Sequence, residues 1–150
     1  MLRAIAVAAF ALLVSCSEKK TVTMDEFTGR IVTLPNGTEI LAEVMMHPTD
    51  MMRGMMFRDS LPEGRGMLFV HRTPGQHSYW MYQVRIPLDI IWLDGTKNVV
   101  EMSPDTPPCK AQSSRDCPSY GGNQNAQFVL ELPGGSIAKH GIKLGDRLSF

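Results

Sequence analysis

Glycine, proline and asparagine cut most of this chain into apolar runs short enough to read as β-strands, and that segmentation limits the fold more than any other feature. Thr28 to Leu34 and Thr38 to Met46 are rich in β-branched and apolar residues, and Pro35-Asn36-Gly37 between them signals a hairpin turn. Gly66 to Val70, Ser78 to Tyr82, Leu88 to Leu93, Asn98 to Met102, Ala126 to Leu132 and Arg147 to Phe150 read as further strands, with Asp94-Gly95 as a second hairpin turn. One segment has a different period. Met51, Met52, Met55 and Met56 recur at helical spacing behind a Thr49 or Asp50 cap, which predicts a helix from about Thr49 to Arg58. Ser136 to His140 predicts one more helical turn, closed by Gly141. Many short strands with one substantial helix predict a mainly β domain, either a compact, partly open β-barrel or a curved antiparallel sheet with a capping helix.

The first sixteen residues have a different logic. Arg3 supplies a positive start, Ala4 to Val14 an apolar stretch, and Leu13-Val14-Ser15-Cys16 a short cleavage motif, the pattern of an export signal. At about 1.5 Å per residue the apolar stretch spans only about 16 Å of a roughly 30 Å hydrocarbon core, too little for a lasting membrane span. Leu-Val-Ser-Cys resembles the bacterial lipobox, which implies cleavage after Ser15 and acylation of Cys16 as the new first residue. Two or three acyl chains hold a protein on a membrane far more firmly than one. Ser17 stands where an aspartate would favour retention in the inner membrane of some bacteria, so the outer membrane is favoured. Residues 16–28 are mostly polar or charged without a sustained period and read as a flexible tether, leaving 29–150 as a single globular domain. The expected location is a membrane-anchored lipoprotein facing the periplasm.

The mature chain, 16–150, is long enough for one domain with a real core. Losing the leader removes Arg3 alone among the charges, leaving 14 basic against 15 acidic side chains. Such neutrality argues against a nucleic-acid partner, which calls for a basic face. Cys109 and Cys117 remain, and an oxidising compartment predicts a disulfide between them. A loop this short would contribute about 2.6 kcal/mol in the chain-entropy model. Pro104, Pro107, Pro108 and Pro118 surround the pair, so no regular ladder is expected to hold this segment. The spacing is not that of a CxxC redox or metal site.

Few residues invite chemistry. Arg53, Asp89 and Glu131 each lie in or beside an apolar run, where an ionised side chain is costly unless paired. They read either as a structural ion pair or as a polar cluster at the mouth of a cleft, with Trp80 as a stacking wall and Met81 beside it. Asp89 and Glu131 could in principle share acid and base roles. The eleven methionines, with His47, His71 and His77, raise a Cu(I) reading through Met51, Met52, Met55 or Met56, although methionines at helical spacing more often fill a core. His71 and His77 frame Thr-Pro-Gly and could share a zinc ion, but exposed loop histidines are the simpler reading. No nucleophile elbow, HExxH, P-loop or dinucleotide fingerprint occurs.

The order of the segments resembles the family of uncharacterised prokaryotic domains numbered 192 (DUF192) over roughly residues 30–150. The resemblance is carried by Arg53-Gly54-Met55-Met56-Phe57-Arg58, Gly66-Met67-Leu68-Phe69, Trp80-Met81, Ile86 to Asp94, Pro108-Cys109, Cys117-Pro118, Val129 to Pro133 and Gly141 to Asp146. It implies a compact, largely β domain, often exported, and brings no activity or cofactor with it. Family members usually follow Trp-Met with a Lys-Asn-Thr-like stretch, where this chain has Tyr82-Gln83-Val84.

The reading that follows is a non-catalytic envelope module without a cofactor. It would bind a small ligand, a glycan or a protein partner through the region of Arg53, Trp80, Met81, Asp89 and Glu131. The alternatives are an enzyme acting on an envelope polymer through Asp89 and Glu131, and soft-metal handling by the methionines. Intact-mass analysis of the protein from membranes should find an acylated chain beginning at Cys16, and Cys16→Ala should move it to the soluble fraction. Retention of Met1, or unchanged membrane binding of the variant, would remove the lipoprotein reading.

Overall fold

The computed structural model describes residues 28–150. The leader, Cys16 and the tether up to residue 27 lie outside the described residues. In chain order the elements are β1 (Gly29–Thr33), β2 (Glu39–Met45), α1 (Pro48–Arg53), β3 (Arg65–Gln76), β4 (Tyr79–Trp80), β5 (Leu88–Leu93), β6 (Val99–Thr106), β7 (Ser119–Tyr120), β8 (Asn125–Pro133) and α2 (Ser136–His140). A six-stranded sheet runs in the order β1-β2-β3-β8-β5-β6, and β4 and β7 form a separate two-stranded ladder. The first hairpin falls where its turn residues place it, with Val32 opposite Ile40.

The sheet is mixed rather than wholly antiparallel, because α1 carries the chain from β2 to a parallel β3. It is not closed into a barrel. The C-terminal residues expected as a strand make only isolated bridges, Asn98 with Arg147 and Thr33 with Ser149, and so reach toward both edges of the sheet. The expected long helix is also shorter. It stops at Arg53 because Gly54 takes φ 42° and ψ −126°, outside the helical region, and Phe57 follows at φ 64°. Pro48 opens this helix behind His47, not Thr49 or Asp50.

Two strands are longer than their apolar runs. β3 continues past Val70 through a register shift to Gln76, and β6 continues through Pro104 to Thr106. β6 lies at the sheet edge, where a proline removes no inward ladder bond.

Every residue of β5 is buried, so both faces of the sheet are covered there. The two-residue period divides the core accordingly. Ile91 and Leu93 join Leu130, Leu132, Val32 and Ile137 on one face. Leu88, Ile90 and Trp92 join Val129, Met67, Phe69 and Met81 on the other.

Asp89 is buried on the first of these faces, opposite Leu132. Its Oδ1 accepts from the amides of Asp105 at 2.7 Å and Gly135 at 3.1 Å, and its Oδ2 from Ile137 at 2.5 Å. One carboxylate thereby joins the end of β6, the Pro-Gly-Gly turn and the start of α2. Removing it would leave three backbone donors unpaired, that of Ile137 buried and those of Asp105 and Gly135 partly so, and a buried unpaired donor costs about 1–3 kcal/mol. Asp89→Ala should therefore lose about 3 kcal/mol or more of stability, read as a lower urea midpoint at an unchanged m-value.

Candidate functional site

The second face of the sheet holds a cavity of about 450 Å³. Met51, Met52, Met55 and Met56, from α1 and the turn after it, form one side of it, and Tyr79, Trp80, Tyr82 and Val84 form another. Phe69 and His71 of β3 and Glu131 of β8 belong to its sheet side. Arg53 and Trp80 are exposed at its rim, whereas Glu131 is 5% exposed.

Glu131 is the unusual member. Its Oε2 is buried and has no hydrogen-bond partner among the described residues. Burial pushes its carboxyl up to about 8, against a smaller opposing effect of the Arg58 guanidinium. Arg58 is itself committed elsewhere: its two terminal nitrogens bind both oxygens of Glu43 at 2.7 Å each. That bidentate pair raises the Arg58 guanidinium above its ordinary value, chiefly through the Glu43 hydrogen bond. Glu131 is therefore mostly a neutral acid at pH 7, a hydrogen-bond donor on a residue that lines the cavity.

An aromatic group supports this lining. The Tyr79 ring meets Phe69 edge-on at 5.1 Å and Trp92 at 5.9 Å, and its hydroxyl lies 3.2 Å from His71 Nε2. Burial, with a further effect of Glu131, pushes the Tyr79 hydroxyl above its usual range. The His71 ring stacks on His77 with centroids 3.5 Å apart and planes 3° apart. Burial first, then the neighbouring His77, lowers His71 to about 4. In-plane lone pairs of two stacked imidazoles run parallel and do not converge on one ion. Among the described residues no group of three or more histidine, cysteine, aspartate or glutamate side chains could hold a metal. The four methionines share the cavity but not an environment: Met55 is core, at 2% exposed, and Met52 is 68% exposed.

The wall carrying Trp80 is held from two sides. β4 pairs with β7, Tyr79 opposite Tyr120, and Tyr82 bridges to Cys109, whose amide donates to Met81 O at 3.0 Å. The disulfide Cys109–Cys117 joins these two supports. Beyond β7, Gly121 lies so close to Trp92 that a Cβ there would sit 2.2 Å from the indole, and the Trp92 Nε1 donates to His77 O at 2.7 Å.

Of the five candidates read from sequence, Arg53, Trp80 and Glu131 meet at the cavity. Met81 is wholly buried in the core behind the wall. Asp89 faces the opposite side of the sheet, since it is paired with Leu132 while Glu131 is paired with Ile90. The two carboxyls therefore cannot act on one substrate. Tyr79, Phe69 and the Arg58–Glu43 pair were not legible as site residues, because they come from elements with no spacing relation to Glu131.

A family model described as "Uncharacterized ACR", DUF192, matches residues 31–150. A crystal structure of a protein of unknown function from Novosphingobium aromaticivorans is similar at 28% identity and a TM-score of 0.72, covering 83% of this chain and 85% of that one. A Sinorhizobium meliloti protein, provisionally described as a transcription regulator, shares the fold at 22% identity and a TM-score of 0.73, covering 82% and 94%. No curated protein sequence matches significantly.

Two outcomes follow from this geometry. Unfolded, the Glu131 carboxyl releases its proton near 4.5, and folded near 8, so the folded state holds an extra proton between those values. Stability should fall as pH rises from 6.5 to 8, by up to about 1.4 kcal/mol per unit, and Glu131→Gln should flatten that slope in urea titrations. His71, lowered from 6.5 to about 4, acts oppositely: it removes stability as pH falls below 6.5, so that range is not diagnostic. The double variant Cys109→Ser, Cys117→Ser should lower the unfolding midpoint by about 2–3 kcal/mol equivalent. It should also raise hydrogen exchange in residues 79–84 before the six-stranded sheet is affected.

Proposed function

The chain belongs to the DUF192 family, and we propose that it is a binding domain that takes a small, largely apolar molecule into the cavity and donates to it a hydrogen bond from Glu131. The buried Oε2 of Glu131 in the cavity lining, unpartnered among the described residues, is the observation that carries this reading. A buried polar group left unsatisfied costs about 1–3 kcal/mol, and a ligand acceptor would recover much of that. The cavity volume of about 450 Å³ lies in the range of small-molecule sites, and methionine and aromatic walls suit an apolar skeleton. The likeness of Leu13-Val14-Ser15-Cys16 to a lipobox supports display of this domain outside the cytoplasmic membrane on an acylated Cys16, with the disulfide fitting an oxidising compartment.

A second reading rests on the same carboxyl. An acid near 8 keeps its proton at neutral pH and so suits a general acid. Glu131 is the one carboxyl in the lining among the described residues, however, and a two-carboxylate hydrolysis of a sugar polymer has no second group among them.

Nile red, an apolar dye with a ring carbonyl, separates these readings by fluorescence titration. The wild-type protein should bind it with a blue-shifted emission, and affinity should fall as pH rises through about 8, by up to tenfold per unit. Glu131→Gln retains an amide donor and should bind within a few-fold at every pH, with the pH dependence gone. Failure to bind the dye, or the same pH profile in Glu131→Gln, would reject the binding reading. Turnover of an envelope polymer abolished by Glu131→Gln would favour the enzyme.

A further inference from the structure

Resting on the reading of the cavity as a ligand site, we propose that the ligand is a small organic anion. Its acidic group would be held at the rim by Arg53, and an uncharged hydrogen-bond acceptor would reach Glu131 inside. The two ends of the cavity differ in a way that selects such a molecule. Arg53 is exposed, lines the cavity, and its guanidinium makes no ion pair or hydrogen bond with another described residue. Met52 at 68% and Trp80 at 43% exposure are the apolar members of the same rim, so an anion bound by Arg53 would sit beside surfaces that an apolar skeleton can cover.

Apart from Arg53, Glu131, the stacked His71 and His77 and two tyrosines, the described lining of the cavity holds no ionisable side chain. The groups facing Glu131 are Arg58, already neutralised by both oxygens of Glu43, the Tyr79 hydroxyl, and His71 behind it on β3. The paired strand positions on either side of Glu131 are the apolar Met67 and Ile90. A cationic ligand would meet the Arg53 guanidinium at the entrance, which is unfavourable to it. An anion with an acceptor at its far end satisfies both Arg53 and Glu131.

Three matched competitors of Nile red test the charge preference: ω-hydroxylaurate, its methyl ester, and ω-hydroxylauryl trimethylammonium, all below their micellar concentrations. The acid should displace the dye at a concentration about tenfold or more below the other two, the worth of a charge-assisted hydrogen bond to a guanidinium. Arg53→Gln should remove that advantage, bringing the acid to within a few-fold of the ester when each is measured against the dye's affinity for the same variant. Equal or stronger competition by the cation, or an undiminished preference for the acid in Arg53→Gln, overturns this inference alone, since Nile red would still report the cavity. No Glu131-dependent dye binding would remove the cavity reading and this inference with it.

Discussion

Strand β8 is hydrogen-bonded along both sides, to β3 and to β5, and its side-chain alternation divides the whole domain. Leu130 and Leu132 point to the core face closed by the first hairpin and α2, while Val129 and Glu131 point to the face that carries the cavity. A slip of one residue on either neighbour would exchange these sets, sending an acid into one apolar core and leucines into the cavity. Both registers are therefore strongly specified, and the position of Glu131 depends on them.

The first face is finished by Asp89. Its two oxygens collect amides from three separate segments, so the carboxylate acts as a junction between β6, the turn after β8 and α2. Asp89 and Glu131 share the same chemistry and sit on adjacent strands, yet the fold gives them opposite surroundings. Asp89 has amide partners for both oxygens. Glu131 has a buried oxygen without a partner among the described residues and keeps its proton to about 8.

The second face is built differently, from short pieces held together by side chains and one covalent link. α1 has only six residues and the β4–β7 ladder two pairs, so neither is stable alone. Tyr79 lodged between Phe69 and Trp92, the close approach of Gly121 to the Trp92 indole, and the Cys109–Cys117 disulfide together fix the wall on which Trp80 stands. A cavity survives there because these short pieces bridge the sheet without filling the space beneath them.

The sequence by itself determined the first hairpin, β5, the strand containing Glu131, the last helical turn at Gly141 and the pairing of the two cysteines. Each is a local signal: a turn triplet, an apolar run, a glycine at a helix end, or two cysteines eight positions apart. It also singled out Arg53, Asp89 and Glu131 as charges in or beside apolar runs, with Trp80 as an aromatic wall near them. Only the tertiary structure decided the parallel entry of β3, the bulged extensions of β3 and β6, the early end of α1 at Gly54, and the separation of Asp89 from Glu131. Strand partners and sheet faces arise from contacts between residues far apart in the chain, and a period of two shows that side chains alternate without showing which face meets which core.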